Sequence, residues 1–384
     1  MRTQIFFRSG RAIPVLVAFL TACGDSVTRP ALVLATAPTG SLPVPRVLHT
    51  ATLLGSGMVL IEGGVNLDSF PLTAELFDPA TGHWRPTGTL NAVHLSATAT
   101  LLKNGQVLVA GGKGAPGNPI ATAELYDPAA GLFTNTGSMT LPRVYAAATL
   151  LADGRVLLVG GLPSGPTATA ELYDPTSGTF AATDSVRTPA DFKTATLLNN
   201  GRVLVTGGRG ADGQAITEAD LYDPGTGSFS ATGSMLVARA GHVATLLANG
   251  DVLITGGAPA IGGAATATAE VYHVAAGSFS LTGSMAHARA LHTATLFANG
   301  MVLVAGGDST FYGGGPSSQS RSATELYDPA TGMFSRGPDM SVPRESHTAT
   351  LLANGAVLIT GGGDGTIGYS PTTVLASADL YLWH

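Results

Sequence analysis

The chain of 384 residues is poor in the residues on which several classes of protein depend. Its only cysteine is Cys23, which excludes an internal disulfide. Charged residues make up 11% of the chain, against about 25% in typical proteins, and the formal net charge is -6. Because there is neither a basic surplus nor a long run of one charge, we expect no nucleic-acid binding and no polybasic membrane patch.

Glycine, in contrast, is abundant and periodic. The 51 glycines accompany a content of 45% hydrophobic residues, a composition typical of a packed all-β chain. A Gly-Gly pair that closes an apolar run recurs about every 50 residues, which is the signature of a repeat architecture. The pairs begin at Gly63, Gly111, Gly160, Gly207, Gly256, Gly306 and Gly361.

Each repeat contains four strand signals, which we call a to d. In "HTATLFANGMVLVAGG" the Asn-Gly step predicts a type I′ hairpin between strands a and b. The continuous apolar run of strand b predicts a strand covered on both faces, and the small Thr and Ala residues of strand a suit the innermost strand. "YDPATG" predicts a turn between strands c and d. Aromatic residues that we expect to pack between repeats follow it, at Trp84, Phe133, Phe180, Phe229, Phe279 and Phe334.

The Gly-Gly pairs, the Tyr-Asp step and the period resemble the Kelch family from about Ala31 to His384. This resemblance implies an all-β, seven-bladed propeller of four-stranded Kelch blades. The last repeat lacks strand d, whereas "APTGSLPVPRVLHTATLL" near the N-terminus begins with an orphan strand d, so we expect the two chain ends to share one blade. The aromatic position of that strand aligns with Thr36, so Val33 or Leu34 would have to fill its space.

The N-terminus predicts an exported protein. Three arginines precede the short apolar stretch "AIPVLVAFLTA", which is typical of a secretory signal and too short to span a membrane. "LTAC" is similar to the bacterial lipobox, which implies a lipid on Cys23. We therefore expect a signal peptide at 1–22, a tether at 23–30 and a propeller at 31–384. The chain would be a monomer anchored in the bacterial cell envelope, periplasmic or at the cell surface. The alternative is an ordinary secreted protein with an incidental cysteine.

The strand order assigns the connections to two faces of the disc. The short a–b and c–d turns share one face, which we call the turn face, and the longer b–c and d–a connections share the opposite loop face. Connections that vary in length carry function more often, so we expect the site on the loop face. One acidic residue per strand c recurs in every repeat and is expected to be a structural acceptor: Glu75, Glu124, Glu171, Asp220, Glu270, Glu325 and Asp379.

The d–a connections supply the candidate ligand-binding residues. In repeats 1, 5, 6 and 7 an arginine is followed three residues later by a histidine: Arg46, Arg239, Arg289, Arg344, His49, His242, His292 and His347. An arc of guanidinium groups at a channel mouth could bind a carboxylate, an acidic sugar or an acidic peptide. The alternative is that each arginine bonds a neighbouring blade and each histidine caps strand a. We expect no metal, because four histidines on four blades are too dispersed for tetrahedral coordination, and we expect no cofactor.

These patterns leave two functions open. The leading prediction is a binding module for an acidic glycan or protein partner on the loop face. The alternative is an epimerase-like, carbohydrate-active enzyme for an acidic sugar, as in periplasmic sialic acid epimerase. Galactose oxidase, a Kelch-type copper enzyme with a Tyr-Cys crosslink, is an unsuitable precedent because Cys23 lies outside the repeats. A carboxylate with a perturbed pKa near the arginines would favour the enzyme.

Overall fold

A computed structural model describes residues 33–115, 117–161, 165–312, 319–364 and 373–383. These residues form 28 strands, and none of them is helical. No helix long and apolar enough to cross a membrane occurs in these ranges. Cys23, with the signal peptide and tether expected at 1–22 and 23–30, lies outside the described residues. The compact unit Leu34–His384 contains all of the strands.

The strands are short and follow the repeats. The first blades comprise β2 (Val47–Leu53), β3 (Val59–Val65), β4 (Thr73–Asp78), β5 (His83–Thr89), β6 (Thr98–Leu101), β7 (Val107–Ala110), β8 (Ala123–Asp127), β9 (Leu132–Asn135), β10 (Ala147–Leu150), β11 (Val156–Val159), β12 (Ala170–Asp174) and β13 (Thr179–Ala182). The middle blades comprise β14 (Thr194–Leu197), β15 (Val203–Thr206), β16 (Ala219–Asp223), β17 (Ser228–Ala231), β18 (Val243–Leu246), β19 (Val252–Thr255), β20 (Ala269–His273) and β21 (Ser278–Leu281). The last strands are β22 (Thr293–Leu296), β23 (Val302–Ala305), β24 (Thr324–Asp328), β25 (Met333–Arg336), β26 (Thr348–Leu351), β27 (Val357–Thr360), β28 (Ala378–Trp383) and β1 (Leu34–Pro38).

Seven four-stranded antiparallel sheets form the blades of a β-propeller. Blades 1 to 6 are consecutive groups of four strands from β2 to β25, and blade 7 has the order β1-β28-β27-β26. Thr36 pairs with Tyr381 and Leu34 with Trp383, so the N-terminal strand completes the last blade. The predicted fold class is therefore confirmed, and the shared blade leaves no open edge between the chain ends.

The core lies between neighbouring blades. In blades 2 to 6 the Phe of strand d packs on the Tyr of strand c, with ring centroids 4.8 Å apart for Tyr173 and Phe180. Those two rings share a buried cluster with Leu102 and Leu108 of the preceding blade, as predicted. The Tyr173 hydroxyl also bonds Thr136 Oγ1 of that blade at 2.9 Å. Each Tyr therefore combines apolar burial with a satisfied hydroxyl.

Leu34 fills the place of the missing strand-d aromatic residue. It is buried in a cluster with Phe297, Met340 and Tyr381, where other blades place Phe. Val33 is 63% exposed and does not contribute. The closing blade is thus packed by an aliphatic side chain together with Trp383, which contacts Phe297 edge-on.

The a–b hairpins differ from the expected type I′ turn. Gly105 has a φ of 87°, whereas Asn104 is not among the described residues with positive φ. Gly105 N donates to Leu102 O, and Asn104 Oδ1 accepts from Gln106 N, so the loop is a type I turn followed by a left-handed glycine. The prediction of a hairpin was correct, but its turn type was wrong because the Asn side chain bonds its own loop.

The Gly-Gly pairs join one blade to the next. A Cβ at Gly256 would lie 2.2 Å from Arg289 O of the next blade, so only glycine fits there. Gly257 N donates to the same carbonyl at 2.9 Å. The contact recurs at all seven joints, including Gly362 N to Arg46 O across the closure. The Gly-Gly pair, which is the clearest sequence marker of the repeat, therefore forms the backbone contact between neighbouring blades.

Candidate functional site

The four predicted ligand-binding arginines are buried within their blades, each with 0% exposure. Each guanidinium donates to the strand-c carboxylate of its own blade and to the carbonyl of the first glycine of the Gly-Gly pair. The Nη2-to-carboxylate distances are 3.1 Å for Arg46–Glu75, 2.9 Å for Arg239–Glu270, 2.7 Å for Arg289–Glu325 and 2.9 Å for Arg344–Asp379. The arginines therefore tie d–a connections to strands b and c. They present no accessible guanidinium to a ligand, contrary to the predicted arc.

The other three blades make the same contacts with different side chains. In blade 3, Arg143 repeats the pattern with Glu171 and Gly160 O. In blade 2, His94 Nδ1 lies 2.7 Å from Gly111 O, and its Nε2 lies 3.2 Å from Glu124. In blade 4 the two contacts are divided, since Lys193 bonds Gly207 O at 3.2 Å and Arg187 pairs with Asp220. All seven recurring carboxylates are thus structural acceptors, as predicted.

The four predicted histidines are buried bridges between blades. Each imidazole Nε2 bonds a threonine hydroxyl of the preceding blade, for example His292 to Thr255 at 2.8 Å and His242 to Thr206 at 3.1 Å. Burial lowers the pKa of His49 and His242 to about 3, and the adjacent arginine charges add to the shift. The imidazoles are therefore neutral at neutral pH. Among the described residues, no group of three or more His, Cys, Asp or Glu side chains could hold a metal ion.

These differences divide the ring into two arcs. Blades 5, 6, 7 and 1 keep the Arg and His residues, and we call them the regular arc. Blades 2, 3 and 4 place Ala97, Ala146 and Lys193 at the His position, and we call them the divergent arc. Burial lowers the pKa of Lys193 to about 8. In both arcs the His position lies at the loop face, where strand a begins.

Where the divergent arc begins, the joint between blades 1 and 2 contains a buried carboxylate that the repeat pattern did not reveal. Glu62 is 1% exposed and stands in β3 where β15 and β19 place Thr206 and Thr255. Its Oε1 accepts from the Thr50 hydroxyl, and its Oε2 has no hydrogen-bond partner. Burial raises the pKa of Glu62, which the Thr50 hydrogen bond and the positive neighbours offset only in part. In the sequence, Glu62 is distinguished only as the one acidic residue that directly precedes a repeat Gly-Gly pair, in "IEGG".

A ring of seven residues surrounds the loop-face mouth of the channel, one before each His position. All seven have positive φ: Leu48, Ser96, Tyr145, Phe192, Gly241, Leu291 and Ser346. Five of them donate their backbone N–H to the collar carbonyl of the preceding blade, as in Ser346 N to Leu291 O at 3.1 Å and Leu48 N to Ser346 O at 3.2 Å. The five donors are Leu48, Ser96, Phe192, Leu291 and Ser346. We call this ring the collar.

Six of the seven collar residues, all except Ser96, line a cavity of about 280 Å³. Tyr145 and Phe192 stack at 4.1 Å between centroids with 24° between the planes. Leu48, Leu291 and Ser346 also line the cavity. The ring of Tyr312, from the b–c loop of blade 6, lies 5.5 Å from that of Phe192. The cavity is thus apolar on one side and carries a few polar atoms, which is the usual make-up of a small-molecule site. We call it the mouth cavity.

The b–c loops of blades 4, 5 and 6 form a partial cover over the mouth. They pair with one another through bridges at Gln214–Ala260 and Ala264–Thr310. This arrangement places the fully buried Phe311 over Gly241, where a Cβ would lie 2.5 Å from its ring. The cover explains why blade 5 alone has glycine in the collar. Parts of the two long loops singled out in the sequence, 313–318 and 365–372, lie outside the described residues.

Cationic groups lie against the stacked pair. Lys113 Nζ is 5.6 Å from the centre of the Tyr145 ring, and Arg209 Cζ is 5.5 Å from that of Phe192. Arg209 also forms a two-point ion pair with the buried Asp191. The sequence contained these residues at the positions after Gly-Gly and before strand a. Nothing in the repeat pattern distinguished them from loop residues.

No protein-family model and no curated protein matches the chain. Among solved structures, it is similar to one described as a novel fungal alcohol oxidase with catalytic diversity among the AA5 family, in complex with copper. The TM-score is 0.74 at 20% identity, over 91% of this chain and 76% of that one. A similarity at this identity shows the fold alone, so the Kelch type of the repeats remains a prediction. The described residues offer no donor set that fits copper.

Proposed function

We propose that this protein is a binding module that holds an acidic glycan or protein partner at the mouth cavity of the loop face. The observation that carries the proposal is the half-buried Tyr145–Phe192 stack beside a cavity with convergent polar atoms. The proposal includes an envelope location, through a lipid on Cys23, which rests on the lipobox resemblance alone. Cys23→Ser would then release the protein from membranes.

The acidic character of the partner rests on groups other than those first expected. The four predicted arginines form their hydrogen bonds within their own blades. Three other cationic residues, Lys113, Lys193 and Arg209, lie around the aromatic stack. Arg209 is paired with Asp191. The clustering of cationic side chains beside the stack supports the proposal of an anionic ligand.

The test is calorimetric titration of the purified chain with oligosaccharides that are matched in size and differ only in a carboxylate. We expect binding of the acidic member and loss of that binding in Phe192→Ser. The matched control is Leu236→Ser, because Leu236 is exposed and lies outside the collar. Equal binding by the two variants would contradict the site. Equal affinity for charged and uncharged sugars would contradict the acidic preference.

An enzyme acting on an acidic sugar is the second candidate, and Glu62 is the observation that favours it. Its raised pKa and unbonded Oε2 are properties of a carboxyl group that could exchange a proton. The test is incubation with acidic sugars in deuterated water, followed by mass spectrometry. Deuterium at a ring carbon, lost in Glu62→Gln, would support catalysis. Its absence with every sugar that binds would restrict the protein to binding.

A further inference from the structure

Blade 6 and the connection that enters it depart from the repeat at three aligned positions. Arg336 of strand d lies opposite Glu325, and none of the residues at this position in the other blades is charged. They are Pro38, Pro86, Asn135, Ala182, Ala231 and Leu281. Asp339 replaces a serine or threonine of the other six blades, and His287 replaces a residue that is never ionisable. The repeat thus identifies these three side chains as additions to the common scaffold.

The three added side chains line one cavity. It lies between strands c and d of blade 6 and the connection that enters this blade from blade 5. Its volume of about 360 Å³ falls within the range of small-molecule sites. Ser284 and Ser335 add hydroxyl groups to its wall, and Phe334 and Ala286 add apolar surface. It shares no lining residue with the mouth cavity, and we call it the rim cavity.

The charged side chains that blade 6 adds are accessible. The side chain of Arg336 is 81% exposed and that of Asp339 is 41% exposed. Their one hydrogen bond joins Nη2 to Oδ2 at 2.9 Å. An exposed ion pair of this kind contributes little to stability, so a ligand can separate it at small cost. Glu325 in the same wall is buried and bonded to Arg289, so it belongs to the scaffold.

Closure of the ring accounts for only part of this divergence. At five of the other joints, as at Gly283 N to Gly332 O, the segment after strand d donates to the c–d turn of the next blade. Blade 7 takes its strands c and d from opposite chain ends, so no turn joins them, and Pro338, which lacks an N–H, is tolerated there. Thr324 Oγ1 donates to Pro338 O at 2.7 Å, and a Cβ at Gly337 would lie 2.4 Å from that hydroxyl. None of these contacts requires the three side chains that line the rim cavity.

The exposed ion pair defines the chemistry of a ligand. A guanidinium recognises a carboxylate through a planar two-point contact, and an aspartate pairs with an ammonium group. Because the Arg336 and Asp339 atoms lie 2.9 Å apart, a ligand that meets both must carry opposite charges on neighbouring atoms. The formal charges of the wall also cancel, since Arg336 offsets Asp339 and Arg289 offsets Glu325. A ligand without net charge therefore fits better than an anion or a cation.

We infer that the rim cavity binds a small zwitterion, an aliphatic α-amino acid whose carboxylate meets Arg336 and whose ammonium group meets Asp339. The exposed His287 and Ser284 supply further hydrogen-bonding groups, and Phe334 supplies apolar contact for an aliphatic side chain. This binding goes beyond the proposed function, because it uses a separate cavity and no collar residue.

The first test is an NMR titration of the purified chain with L-leucine, isocaproate and isoamylamine. The last two compounds each lack one of the two charged groups of leucine. A hydrogen bond to a charged group corresponds to about tenfold or more in affinity, so we expect leucine to bind at least about tenfold more tightly than either compound. Equal affinity for the three, or no binding of leucine at millimolar concentration, would overturn the inference.

Two variants separate the two contacts. Arg336→Gln should weaken leucine and isocaproate at least about tenfold and leave isoamylamine unchanged, whereas Asp339→Asn should weaken leucine and isoamylamine and leave isocaproate unchanged. Both side chains are exposed, so the melting temperature should not change in either variant. The matched control is Arg202→Gln, which breaks an exposed ion pair with Asp223 on the turn face and should leave leucine binding intact.

The variants also separate this inference from the proposed function. Phe192→Ser alters the mouth cavity, so it should bind leucine as the unaltered chain does. Unchanged leucine binding in both Arg336→Gln and Asp339→Asn would overturn the amino-acid site and leave the acidic ligand of the mouth cavity unaffected. Loss of leucine binding in Phe192→Ser would assign leucine to the mouth cavity and refute the rim site.

Discussion

The regular and divergent arcs build the same joints between blades with different chemistry. In the regular arc, Arg239 alone contacts both Gly256 O and Glu270, and His292 bonds a threonine of the preceding blade. In the divergent arc, His94 and Arg143 each make both contacts in blades 2 and 3. In blade 4 the two contacts are divided between Lys193 and Arg187. The recurring requirement is a donor at the glycine carbonyl and a partner for the carboxylate. The residue type that provides them is free to change.

The difference also shows which part of the ring lacks the histidine bridges between blades. Where the His position holds Ala97 or Ala146, no imidazole bridges the blades. The stacked Tyr145 and Phe192 of the collar belong to this arc. The site that we propose thus lies where the repeat is least regular, while the most repetitive residues are buried scaffold.

The largest effect should come from breaking a regular-arc ion pair. Arg239→Ala leaves Glu270 buried without its partner, so we expect the free energy of unfolding to fall by about 3–5 kcal/mol. Arg187→Ala in the divergent arc removes a side chain that is 45% exposed, so its loss should be on the order of 1 kcal/mol. Urea denaturation measures both, and equal losses would contradict the expected difference between a buried arginine and a half-exposed one.

An intermediate effect is expected from the histidine bridges, through pH. The pKa of His242 is about 3 in the folded protein, against about 6.5 unfolded, so the unfolded chain binds the proton first on acidification. Stability should therefore fall as the pH drops from about 6.5 toward 3. His242→Gln should lose about 2 kcal/mol at pH 7 and show a shallower pH dependence. The exposed His83→Gln serves as the control, and an unaltered slope in His242→Gln would refute the bridge.

The smallest effect concerns Glu62. Because burial raises its pKa, the folded chain holds the proton more tightly than the unfolded chain, and stability decreases as the pH rises above about 4.3. Glu62→Gln should remove this decline and stabilise the protein by on the order of 1 kcal/mol at pH 8. Chemical denaturation at pH 4 and pH 8 measures the difference. A double variant, Glu62→Thr with Ala97→His, would rebuild the regular-arc bridge at the joint between blades 1 and 2.

The fold was predictable because its determinants are local and periodic. Gly-Gly, Asn-Gly and Asp-Pro steps mark the strand ends, and the missing strand d of the last repeat predicted the β1–β28 pairing. The role of the arginines could not be predicted, because Arg239 and Glu270 are 31 residues apart and the repeat does not show which way a side chain points. Periodicity reveals what each blade must contain, and most of that is scaffold.

The collar side chains of the mouth cavity were hidden for the opposite reason, although His242, His292 and His347, which also line it, were among the predicted site residues. Collar positions hold Leu, Ser, Tyr, Phe or Gly, so they carry no repeat signal. Their shared property is a backbone angle, which cannot be seen in single residue types. Phe311 and Tyr312 reach the mouth from a loop of blade 6 that is more than 100 residues distant from Phe192 in the chain.

The contact between Gly-Gly pairs and the next blade makes the blades interchangeable. Each pair docks on a main-chain carbonyl, and that carbonyl belongs to Arg289 at one joint, to His94 at another and to Ala190 at a third. Neighbouring blades thus recognise each other through atoms that every amino acid possesses. A blade can be duplicated, or its side chains can diverge, without a compensating change next door. The ring can therefore acquire new chemistry at one position while its remaining joints keep their geometry.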